Sequence, residues 1–133
     1  MKLEDQLVSL ELAKELKSLG VKQDSLWYWC ENQEGGERPI THDIYIKYVA
    51  TNRVYNMPEL KIYSAFTCSE LGEMLPRQLT YHKSFDNTLW WVILPDALDP
   101  TSSIYKTSST SEANARAKCL VWLIKNKHME VQA

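Results

Sequence analysis

With 133 residues the chain has the length of one domain. Hydrophobic residues make up 44% and aromatics 11%, enough to fill a core without staples, and this excludes a disordered chain. A net charge of −2 removes the basic stripe expected of a general nucleic-acid binder or of a protein held on an anionic membrane.

In chain order, Leu3, Leu7, Leu10, Leu16 and Leu19 recur at helical spacing and predict one amphipathic helix from Leu3 to Leu19. Gly20 ends it in a Schellman stop, with Val21 packing back on Leu16. The charged opening has no uninterrupted apolar core of a signal peptide or membrane span, so a cytoplasmic protein is expected. Ser25–Glu31 (SLWYWCE) reads as the first strand, with Leu26, Tyr28 and Cys30 on one face and Trp27 and Trp29 on the other. Residues 32–39 form a two-glycine turn, and the alternation in Asp43–Ala50 predicts a second strand paired to the first. After a polar link over 51–59, Leu60–Tyr63 reads as a third strand or as extended chain.

Thr67 and Glu70 form a capping box for a short helix that Pro76 stops. Gln78–Lys83 and Thr88–Leu94 then read as a second hairpin about an SFDN turn. The continuous apolar run LWWVIL predicts a central strand covered on both faces. A loop over 95–103 leads to a short edge strand, Ile104–Lys106, and to the last helix, within Thr107–Lys127. Ser109 and Glu112 offer that helix a capping box, and Ala113, Ala117, Leu120, Val121 and Ile124 give it an apolar stripe. The expected fold is therefore α+β: a mainly antiparallel sheet of four to five strands, the N- and C-terminal helices packed on it, and one short helix between two hairpins. The domain is expected over 1–127, with 128–133 as a tail.

No chemical motif stands out. The three cysteines, Cys30, Cys68 and Cys119, are an odd number without a CxxC pair, which fits reduced thiols. Cys68, at the first position of a helix, sits where the helix dipole favours thiolate, while Glu70 and Glu73 push the other way. His42, His82 and His128 lack the local spacing of a metal site, no phosphate-binding glycine loop is present, and neither cofactor nor metal is expected. What remains is aromatic surface. If helices cover one face of the sheet, the other face carries a set such as Trp27, Trp29, Tyr45, Lys47, Tyr81 and Lys83, in which aromatics stand beside cations. Such a set suits stacking on a nucleotide or a protein hot spot, while large aromatics on strands usually fill cores or dimer interfaces.

The stretch Thr67–Pro76 (TCSELGEMLP), together with the closing Ser111–Lys127 (SEANARAKCLVWLIKNK), resembles small uncharacterised proteins encoded by bacteriophages and prophages. The leucine- and lysine-rich opening is similar to theirs as well. The resemblance implies a phage-encoded accessory protein in the bacterial cytoplasm, and it transfers no catalytic residue. Two functions are therefore expected in turn. One is a non-enzymatic protein that binds a host or phage protein, with a homo-oligomer possible on the same face. The other is a small-molecule binder that sequesters a nucleotide signal of host defence.

Overall fold

The structure is a computed structural model and describes residues 2–31, 37–55, 61–99 and 101–131. Its elements run α1 (Leu3–Gln6), α2 (Leu10–Ser18), β1 (Trp27–Glu31), β2 (Glu37–Thr41), α3 (His42–Tyr55), β3 (Lys61–Ser64), α4 (Cys68–Met74), β4 (Thr80–Lys83), β5 (Trp90–Pro95), β6 (Ser103–Ser109) and α5 (Glu112–Lys125). The class is α+β, as expected. In place of one sheet, however, the described residues form two three-stranded antiparallel sheets, ordered β2-β1-β3 and β4-β5-β6.

The predicted N-terminal helix is broken. Leu7 and Val8, where a continuous helix would run, are both fully buried. The backbone there is extended instead: Leu7 bridges Thr67, and the Val8 N–H donates to the Phe66 carbonyl at 2.9 Å. Ser9 then starts α2 afresh, its Oγ accepting from the Leu12 N–H at 3.4 Å. At the far end the Schellman stop forms as expected, with Val21 N–H to Leu16 O at 3.1 Å and Gly20 N–H to Lys17 O at 3.0 Å. Gly20 takes φ +90° there, so Gly20→Ala is expected to destabilise the domain by about 1–2 kcal/mol, read as a lower urea midpoint at unchanged slope.

Asp43–Ala50, expected as a strand, is helical. Both edges of β1 are already taken, by β2 with Trp27 opposite Thr41 and by β3 with Tyr28 opposite Ser64, so no edge is left for it. The hairpin partner of β1 is instead Glu37–Thr41, which overlaps the end of the expected turn. Pro39 is tolerated because β2 is an edge strand. The Thr41 hydroxyl accepts from the Ile44 N–H at 3.5 Å as α3 begins. Tyr45 and Tyr48, three residues apart, then lie on the face of β1 that carries Tyr28 and Cys30. Residues 32–36 of the expected turn and 56–59 of the expected link lie outside the described residues, as does Leu60 at the start of the expected third strand.

The Thr67 capping box is complete, with reciprocal bonds of 3.2 Å and 2.9 Å to Glu70. The second hairpin also forms, and β5 is the centre of its sheet. The cap of α5 is Ser111 rather than Ser109, because β6 runs on through Ser109. Ser111 Oγ accepts from the Asn114 N–H at 3.3 Å, and Glu112 turns to Arg116 at 2.8 Å instead of reaching back.

Helix α5 is the inner wall of the molecule. Ala113, Ala115, Ala117, Cys119, Leu120, Val121 and Leu123 are buried on it, against Val92 and Leu94 of β5, Leu71 of α4 and Leu16 of α2. Asn114 Oδ1 accepts from the Ser9 N–H at 2.7 Å and ties the N-terminal segment to it. Beyond α5 the chain stays attached: the His128 ring stacks on Trp122 at 4.9 Å, and Met129 and Val131 pack on the core.

Candidate functional site

A β-strand sends alternate side chains to opposite faces. In β5, Trp90, Val92 and Leu94 turn to the core, so Trp91 and Ile93 turn away from it. The inner face is closed by α5, where Tyr105 of β6 stacks on Trp122 at 4.3 Å and Tyr81 of β4 lies 4.4 Å beneath the Arg116 guanidinium.

The outer face is different. Register places His82 and Ser108 beside Trp91, and Thr80 and Lys106 beside Ile93. Lys106 Nζ lies 5.8 Å from the Trp91 ring centre. Trp91 and Ile93 are only half-buried, His82 and Lys106 are exposed, and among the described residues no helix covers this face. A register shift at Leu94/Pro95 leaves Ile104 exposed at one end. Phe85, at the tip of the β4–β5 hairpin, and Leu98, in the β5–β6 loop, are almost wholly exposed at opposite ends of the same sheet. The outer face of β5 thus carries two apolar side chains, Trp91 and Ile93, between polar neighbours. None of the three strands contributes a carboxylate, while His82 and Lys106 contribute basic groups.

The six residues expected to form a site do not meet. Trp27 and Trp29 belong to the main core; Trp29 is 5% exposed, and its Nε1–H donates to the Val8 carbonyl at 2.7 Å. Tyr45 lies on α3, its ring stacked 4.1 Å from that of Tyr28, and Lys47 lies exposed on the same helix. Tyr81 and Lys83 lie on β4, but on the side turned toward α5, with Lys83 Nζ 4.9 Å from the Trp90 ring. An exposed aromatic sheet face exists, therefore, but it is built by Trp91 and not by Trp27 and Trp29. The continuous run LWWVIL conceals it, because apolar residues on both faces imply two covers. The signal that distinguishes the open side is in the neighbours, where Thr80, His82, Lys106 and Ser108 are all polar.

A second candidate is a cleft of about 510 Å³ where α4 and α5 begin, lined by Trp90, Cys68 and Ser69 but also by the carboxylates Asp5 and Glu112. Cys68 is not an activated thiol. Burial pushes it up to about 11, outweighing the pull of Arg116, and burial does the same to Cys119. Neither thiol is expected to react with iodoacetamide at neutral pH until the protein is unfolded. Because both values are raised, the stability they confer is complete below the ordinary value of 9.0 and is lost as pH rises through about 11. The urea midpoint followed against pH checks this. Burial similarly raises the Tyr81 hydroxyl, with Arg116 opposing.

Among the described residues no group of three or more His, Cys, Asp and Glu is placed to hold a metal ion, and no helix is long and apolar enough to cross a membrane. His42 Nδ1 is engaged with the Tyr28 hydroxyl at 3.3 Å, and His128 with the Trp122 ring. No protein-family model, curated protein or solved structure matches the chain.

Proposed function

We propose that the protein is a non-enzymatic, phage-encoded accessory binding protein that engages a host or phage protein in the bacterial cytoplasm. The outer face of the β4–β5–β6 sheet is the surface that binds. One observation carries the reading: the central strand of that sheet leaves Trp91 and Ile93 half-exposed on its outer side, with the exposed Phe85 in the turn at one end of the sheet and Ile104 and Leu98 toward the other. Contiguous apolar surface with a central tryptophan and a polar rim is the usual make-up of a protein interface. Lys106 and His82, on strands that carry no carboxylate, favour a partner whose apolar patch is edged by acidic groups. The phage origin rests on the resemblance of Thr67–Pro76 and Ser111–Lys127, the stretches that form the paired helices α4 and α5.

The nucleotide reading comes second. Its support is the Trp90 cleft, whose indole could stack on a base, and it is opposed by Asp5 and Glu112, which repel a phosphate.

Capture from bacterial lysate by the immobilised protein, beside an Ile93→Lys variant, tests the proposal. A protein retained by the intact chain and lost by the variant is expected. Equal retention by both overturns the surface assignment. A small molecule carried through purification and released on denaturation, seen by native mass spectrometry, transfers the function to the cleft. A dimer that Ile93→Lys dissociates assigns the face to a second copy.

A further inference from the structure

Apart from the sheet face, the molecule has a cleft of about 360 Å³ bounded by the loop before β1, by α4, by α5 and by the segment after α5. Leu120 and Ile124 line it, each two residues from Trp122, which is about 200° round the helix at 3.6 residues per turn. The cleft therefore opens on the side of α5 opposite the sheet. Its floor is apolar and includes two methionines, Met74 and Met129, side chains that repack around varied shapes.

The rim is acidic. Among the described residues, Asp24, Glu70, Glu73 and Glu130 stand around the floor against one cation, Lys22. Glu70 is committed internally, its Oε1 accepting from the Thr67 N–H at 2.9 Å and its Oε2 from the Leu26 N–H at 3.1 Å. Asp24, Glu73 and Glu130 are exposed and make no ion pair or hydrogen bond among the described residues. Three unengaged carboxylates around an apolar floor are complementary to one large apolar side chain flanked by basic ones. The volume suits a side chain, since a whole helix is about 10–12 Å across and needs a longer groove.

We propose that this cleft is a docking site for a short basic segment of a partner protein, with an apolar side chain seated on Met74, Ile124 and Met129 and its neighbouring lysines or arginines paired with Asp24, Glu73 and Glu130. It is independent of the sheet face, and substitution of Trp91 leaves it unchanged.

The test is an NMR titration of the nitrogen-labelled full chain with the peptide Arg-Leu-Lys-Leu-Arg. Amide shifts are expected at Lys22, Glu73, Met74, Ile124 and Met129, weakening as salt is raised. Glu73→Gln with Glu130→Gln is expected to weaken binding at least about fivefold while leaving the thermal transition in place, since both side chains are exposed. The proposal is overturned by shifts that fall elsewhere or are absent, by equal binding of Glu-Leu-Glu-Leu-Glu, or by no loss in the double variant. Equal binding by spermine also overturns it, because the apolar floor would then contribute nothing.

Discussion

Trp29→Ala is expected to cost about 3–5 kcal/mol of folding stability. The side chain is 5% exposed in the main core, and its removal leaves both a cavity and a buried Val8 carbonyl without the indole donor at 2.7 Å. Val8 is fully buried and belongs to the extended segment that separates α1 from α2, so the same bond fixes the N-terminal chain over β1. A total stability of about 5–15 kcal/mol is usual for a domain, so the variant should be marginal or unfolded at room temperature. Urea unfolding followed by far-ultraviolet circular dichroism measures it. A loss below about 1 kcal/mol would place Trp29 at the surface and return it to the candidate site.

Trp91→Ala is expected to do the opposite. The indole is half-buried on the open face and has cross-strand neighbours but, among the described residues, no helix above it, so folding should lose only about 1 kcal/mol. Binding of the partner should lose about 2 kcal/mol or more, roughly thirtyfold in Kd, because a tryptophan at the centre of an apolar patch is the commonest kind of hot spot. Isothermal titration of the captured protein against the intact chain and the variant measures the ratio. Lys106→Ala should weaken the complex less and should reduce its dependence on salt, since its charge stands at the rim beside Trp91.

The contrast between these two tryptophans also marks how far the sequence is legible. Local chemistry is readable at several points: the Schellman glycine at Gly20, the Thr67–Glu70 box and the second hairpin all form where expected, although the cap of α5 is Ser111 and not Ser109. Competition between distant segments is not. Asp43–Ala50 alternates well enough for a strand, but β2 and β3 hold both edges of β1, and the segment becomes a helix over Tyr28. The alternation in β1 separates its two faces correctly, yet it cannot label them as inner or outer, because both are covered: one by the main core and the other by α3. That is why Trp27 and Trp29, expected at a surface, lie inside.

The motifs that carry the phage resemblance illustrate the same limit. Gly72 of α4 lets the Arg116 guanidinium approach so closely that a Cβ would collide with it, and Arg116 Nη1 donates to the Cys68 carbonyl at 3.1 Å. These stretches are therefore two sides of one packed interface. They report on how the fold is held together and say nothing of what it binds.

The most direct measurement is hydroxyl-radical footprinting of the free protein and of its complex with the captured partner. Trp91 and Phe85 are expected to be oxidised in the free chain and protected in the complex, while Trp29 is unreactive in both. Oxidation of Trp91 at the same rate in the complex, with protection elsewhere, would contradict the assignment of the outer sheet face as the binding surface.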